Sequence, residues 1–168
     1  MKYILRGDVL ASVILECLAG GIFLGIRIME FTSYGLYVII IDVSWIVEIG
    51  HAFEPEFDNL HEDVRTEILA LTRVLQQFGP QLGRPRVDTL NASRHANMKE
   101  LRFSLANGEW RVAFAFDTKR KAILLVAGDK SGVSEKRFYR ELIRKADNRF
   151  DAHLAQLKKE KRQSWLGM

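Results

Sequence analysis

Among the side chains of this sequence that could do chemistry, the basic and aromatic ones stand together and the rest are scattered. Arg102 and Arg111 flank Asn107-Gly108, Arg94, His95 and Lys99 lie just upstream, Lys130 follows an apolar run between two glycines, and Tyr139 comes soon after. Cutting RNA internally needs a base for the 2′-hydroxyl, positive charge over the phosphorus where negative charge builds up, and an acid for the departing 5′-oxygen. Arginine suits the second task, and a lysine or tyrosine of shifted pKa suits the first or third. Other chemistries lack their residues. There is no Gly-rich phosphate loop, no Ser/His/Asp nucleophile arrangement and no paired-carboxylate site. The four histidines, His51, His61, His95 and His153, are too scattered for zinc. The acidic run Asp58, Glu62, Asp63 and Glu67 reads as a solvated helical face. A single cysteine, Cys17, forms no intramolecular disulfide, which points to a reducing, cytoplasmic setting, and neither a metal nor a cofactor is expected.

A hairpin positions the two arginines. Apolar and polar residues alternate on both sides of Asn107-Gly108, and an Asn-Gly pair favours a two-residue type I′ turn because both central residues take positive φ. With 107 and 108 as the loop, Leu105 faces Trp110, Ser104 faces Arg111 and Arg102 faces Ala113. Leu101, Phe103, Leu105, Trp110, Val112, Phe114 and Phe116 then share the core face. Glu100, Arg102, Ser104, Arg111, Ala113 and Ala115 share the other, with Arg102 diagonal to Arg111 and within roughly 7–8 Å of it. Small neighbours leave the guanidinium groups over a shallow floor, which suits a phosphate chain and equally suits two solvated surface arginines. Strict alternation points Lys99 to the core face, so either the strand begins later or a bulge re-aims that side chain.

Charge is unevenly divided. Residues 1–43 carry three basic and four acidic side chains, residues 44–93 four and eight, and residues 94–168 eighteen and nine, a net +9 where the hairpin lies. That asymmetry favours a polyanionic partner, although basic segments also serve solubility. Residues 1–43 differ from the rest. Val9 to Ile26 is an apolar run interrupted by Glu16 and by Gly20-Gly21, a poor membrane span and a poor signal peptide. Residues 1–43 are expected to be an extension upstream of an over-called start, with the domain proper spanning residues 44–168 and no membrane association.

The order of elements from Trp45 onward is legible. Trp45–Ile49 is β-rich. Phe53, Phe57 and Leu60, then Val64, Ile68, Leu71, Leu75 and Phe78, recur at helical spacing as far as Gly79-Pro80. Residues 81–97 read as an irregular crossing loop. After the hairpin, the apolar run from Lys121 to Asp129 suits a central strand buried on both faces. Ser134 can cap a long helix reaching about Lys161, with Phe138, Leu142, Ala146, Phe150, Leu154 and Leu157 on one stripe. The expectation is one α+β domain of order β-α-α-β-β-β-α, with a small, mostly antiparallel sheet, two N-terminal helices and a long C-terminal helix. Tyr139, beside Phe138 in that last helix, fits ordinary packing as well as a functional role. His95 fits an exposed loop as well as a catalytic one.

Four blocks carry a resemblance covering roughly three quarters of the chain: Phe78-Gly-Pro-Gln-Leu-Gly-Arg-Pro-Arg-Val-Asp-Thr-Leu90, Ser93-Arg-His-Ala-Asn-Met-Lys-Glu-Leu-Arg102, Trp110-Arg-Val-Ala-Phe-Ala-Phe-Asp117 and Ala122-Ile-Leu-Leu-Val-Ala-Gly-Asp-Lys130. In that order they resemble the RelE/ParE superfamily of type II toxins, and within it the HigB-type branch with a phage-like toxin motif. The resemblance implies a ribosome-dependent endoribonuclease that needs no metal and cleaves messenger RNA to inhibit translation. It implies as partners an antitoxin, usually with a helix-turn-helix domain, the ribosome and mRNA, and operator DNA only through the antitoxin complex. Carried over by position, it makes Lys99, Arg102, Arg111, Lys130 and Tyr139 the catalytic candidates. Apart from the resemblance, Arg94, His95, Lys136 and Arg137 are the candidate RNA-binding residues around them. Residues 1–43 have no counterpart. The superfamily fold also serves ParE-type gyrase poisons, and a catalytically inert co-repressor would keep it too, so fold alone does not decide between these activities.

Overall fold

A computed structural model of the chain describes residues 12–13, 22–31, 36–105 and 108–166. Seven strands form one sheet in the order β1-β2-β3-β7-β6-β5-β4. β1 (Ser12–Val13), β2 (Ile22–Phe31) and β3 (Leu36–Ile49) come first, followed by α1 (Glu54–Asp58) and α2 (Glu62–Phe78). Then come β4 (Val87–Thr89), β5 (Met98–Leu105), β6 (Gly108–Phe116), β7 (Lys121–Asp129) and α3 (Glu135–Leu166). β3 is longer than the β-rich run Trp45–Ile49 and passes through residues 43 and 44. It pairs with β2 antiparallel as far as Trp45, and from Ile46 it pairs with β7, the one parallel contact among the described strands. The apolar run Val9–Ile26 lies for the most part outside the described residues, as does Cys17. No described helix is long and apolar enough to cross a membrane.

From residue 44 onward the α+β order is as expected, with one added strand, while β1 and β2 precede it in the segment read as an extension. The segment read as an irregular crossing loop contributes β4, a short edge strand that pairs Val87 with Leu101 and Thr89 with Lys99. Three residues are too few for a periodic signal, so only the buried Val87 marks it.

Two apolar layers sandwich the part of the sheet formed by β4 to β7. On one face Phe53, Phe57, Val64, Ile68, Leu71 and Leu75 of the helical hairpin pack on Leu101, Phe103, Val112, Phe114 and Leu124. Phe78 closes the predicted stripe but is 51% exposed, because the helix ends there and Gly79 turns the chain away at φ 52°. A Cβ at Gly79 would stand 2.1 Å from the Trp45 ring, so only glycine makes this turn. On the other face Phe138, Leu142, Ile143, Ala146 and Phe150 of α3 cover Met98, Ala113, Ala115, Ile123, Leu125 and Val126. The hairpin's second face is therefore not an open floor: its alanines are small because a helix lies on them.

The hairpin register also differs. Leu105 pairs with Gly108 and Arg102 with Arg111, so the connection is residues 106–107 and the arginines stand directly opposite rather than diagonal. The turn itself, with Asn107, lies outside the described residues. The slip is two residues, which preserves every side chain's face.

Candidate functional site

β5 pairs with β6 in unbroken register from Met98 to Leu105. Alternation therefore puts Glu100 and Arg102 on the α3 face. Lys99, opposite Phe114 and Thr89, falls on the helical-hairpin face. No bulge re-aims Lys99, and the structure does not bring it together with the other candidates. The irregularity lies one strand away: across β6 and β7, Ala113 pairs with Val126 but Phe114 pairs with Leu124, leaving Leu125 as the extra residue. This bulge reverses the phase of β7 and turns Gly128 and Lys130 onto the α3 face. Gly128 pairs with Arg111, and a Cβ there would meet the Phe138 ring at 3.0 Å, so the glycine lets α3 start close to the sheet. One turn into α3 stands Tyr139.

Arg102, Arg111, Lys130 and Tyr139 thus meet at one end of the sheet. The Tyr139 hydroxyl donates to Oε1 of Glu100 at 3.2 Å, and Arg102 Nε lies 3.7 Å from the same oxygen. Lys130 Nζ stands 5.9 Å from the Tyr139 ring centroid and pairs with Glu135 at 3.2 Å. Arg111 donates to the Trp110 carbonyl at 2.8 Å and to Glu109 at 3.2 Å. Asp88 of β4 joins Arg84 at 2.7 Å and Arg102 at 3.2 Å.

Exposure divides the two arginines. The side chain of Arg111 is 4% exposed and that of Arg102 32%, so Arg102 is the more accessible guanidinium and Arg111 the buried one. Around Arg102, the basic side chains of Arg84, Arg86 and Arg111 line an open depression of about 520 Å³ that also holds Ser104 and Glu109.

Electrostatics follow burial. Desolvation pushes the pKa of Glu100 up, against the pull of Arg111, the Tyr139 hydroxyl and Arg102. Burial also works against the Arg111 charge, but the Tyr139 phenol and the Glu109 and Glu100 carboxylates more than offset it and raise its pKa. Glu109 is held below the usual carboxylate range by hydrogen bonds from Ser104 and Arg111. Asp88 is lowered first by the Thr89 backbone N–H and then by Arg84.

Of the residues expected to bind RNA around this group, Lys136 and Arg137 are exposed in the first turn of α3, Arg137 pairing with Glu141 at 3.1 Å. Arg94 and His95 lie elsewhere. Arg94 binds Asp151 and, at 3.1 Å, Asn148, while His95 pairs with Asp151 at 2.9 Å and sets its ring edge against Phe150. Asp151 is twelve residues beyond Tyr139, about 18 Å along the helix axis. These two residues clamp the loop to the middle of α3 and do not join the arginine group.

Arg84, Arg86, Asp88 and Glu100 are members that sequence reasoning passed over. Glu100 could have been found, since alternation places it on the face of Arg102; its burial became visible only once α3 covered that face. Arg84 and Arg86 sit in the segment read as loop, and only the edge strand β4 brings them beside Arg102.

The family model described as "Phage derived protein Gp49-like" matches residues 55–151 of the chain. The chain is 41% identical over 120 residues to the protein named "Putative toxin HigB2" of Mycobacterium tuberculosis, a match spanning 71% of this chain and 59% of that protein. It is 44% identical over 102 residues to "Putative toxin HigB3" of the same organism, spanning 61% of this chain and 87% of that protein.

Proposed function

The chain belongs to the phage-derived Gp49-like family, and from that premise we propose that it is the toxin of a type II toxin-antitoxin pair, of the HigB-type branch of the RelE/ParE superfamily. Its activity is that of an endoribonuclease cutting messenger RNA on the ribosome, so that translation stops. What supports this reading most is the direct pairing of Arg102 with Arg111, joined on one face by Lys130 and Tyr139. Arg102 neutralises the charge that builds on the scissile phosphate. Lys130 assists activation of the 2′-hydroxyl, a role that Lys99 on the opposite face does not share. Tyr139 orients a base, and Arg84, Arg86, Lys136 and Arg137 hold flanking phosphates, the usual combination in single-strand RNA binding. The partners are an antitoxin with a helix-turn-helix domain, the ribosome with its mRNA, and operator DNA through the antitoxin complex, all in the cytoplasm.

The test is a purified translation reaction with a defined mRNA. The full chain is expected to cut within the translated codons, and R102A to lower the rate roughly 100-fold or more. Growth arrest without translation-dependent cuts overturns the nuclease reading. Inhibited gyrase supercoiling in its place selects a ParE-type poison, and a wild-type chain that arrests nothing leaves a co-repressor.

A further inference from the structure

Glu100 has no part in the roles above, yet it is the most enclosed carboxylate of the patch. One oxygen accepts the Tyr139 hydroxyl and lies beside Arg102; the other is buried with no hydrogen-bond partner among the described residues, as is Nε of Arg111. A buried carboxylate oxygen left unpaired is unfavourable for folding, and desolvation here outweighs the neighbouring cations. Glu100 therefore weighs on stability while holding two of the candidate groups. Local unfavourable features of this kind concentrate where a site needs them.

We propose that Glu100 is a positioning residue for RNA cleavage: it fixes the Tyr139 ring through the phenol and keeps Arg102 aimed through the same oxygen, so that both meet one nucleotide in register. The inference rests on the ribonuclease reading. Glu100 does not touch substrate, being 4% exposed beneath α3. It acts through a chain of contacts in which its carboxylate accepts the hydrogen bond of the Tyr139 hydroxyl and the Tyr139 oxygen in turn lies against the Arg111 guanidinium. The charged and titratable groups that face it are Asp88 from β4, Arg102 from β5, Arg111 from β6 and Tyr139 from α3.

Single-turnover cleavage of ribosome-bound mRNA by the full chain tests this. E100Q keeps the shape and removes the charge. It is expected to cut roughly 10–100-fold more slowly at saturating ribosomes, with the half-saturating concentration unchanged and a melting temperature at neutral pH no lower than wild type. In a Y139F background, E100Q is expected to cost less than in the wild type, since the Tyr139 bond is already gone and only the weakened hold on Arg102 remains. E100Q cutting at the wild-type rate overturns the proposal, as does a loss that merely tracks a lowered melting temperature, or effects of E100Q and Y139F that multiply. Should E100Q not fold, E100D provides the second arm: it keeps the charge but withdraws it from Tyr139, and a folded E100D of wild-type rate overturns the proposal. A wild-type chain that does not cut overturns the ribonuclease reading and this inference together; a cutting wild type with an equal E100Q overturns this inference alone.

Discussion

Arg102 stands directly across the strand pair from Arg111, with Asp88 on one and Glu109 on the other. Like charges facing one another across strands are mildly destabilising, and separate carboxylates offset them here. R102A relieves that repulsion and gives up an ion pair with Asp88, so its stability is expected to stay within about 1 kcal/mol of wild type. Cleavage falls much further. Chemical denaturation beside a cleavage assay checks that separation, and a matching loss of stability would assign Arg102 to the fold instead.

Substituting Arg94 or His95 gives the opposite pattern. Both are tied to Asp151 on α3, so R94A and H95A are expected to cost about 0.5–1.5 kcal/mol through lost hydrogen bonds while leaving cleavage within about threefold, a margin worth roughly 0.6 kcal/mol. A large loss of cleavage in a fully stable H95A protein would return His95 to the site.

Gly128→Ala places a methyl group 3.0 Å from the Phe138 ring. Overpacking of a well-filled layer costs about 1–3 kcal/mol. The displaced segment carries Tyr139, so activity is expected to fall even where the variant remains folded. Thermal melting and cleavage measured together would show both effects, and wild-type values for both would mean that α3 has slack at its first turn.

The Glu100 carboxyl has a pKa raised above its ordinary 4.5 in the fold. Such a group burdens the fold when ionised, and the burden disappears as pH falls through the raised value to the unfolded one. The stability of E100Q relative to wild type is therefore expected to be greatest near neutral pH and to decline toward pH 4.5. Glu56, lowered chiefly by Arg149, works in the other direction, adding stability above 4.5 that is lost on acidification below it. Melting curves of both proteins from pH 4 to 8 isolate the Glu100 contribution, and a difference independent of pH would contradict it.

Much of this arrangement is legible in the amino-acid sequence. Period-two alternation assigns the hairpin residues to the face of the helical layer, because a side chain's face depends on parity alone. The same parity hides the register, since pairing Leu105 with Gly108 instead of Trp110 moves each partner by two and changes no face. The bulge at Leu125 leaves no mark in an unbroken apolar run, yet it decides where Lys130 points. Ala113 and Ala115 suggest an open floor beside the arginines, and only the docking of α3 shows that their size makes room for a helix.

The parallel pairing of β3 with β7 joins Ile46 to Lys121, and α3, which roofs Arg111 and supplies Tyr139, follows β7 in the chain. The order of synthesis therefore matters. A nascent chain carries both arginines well before it carries the helix that buries one of them and completes the group. Until that last helix has left the ribosome and docked, the product is an unfinished sheet, and any chain that stops short of residue 139 lacks the tyrosine altogether.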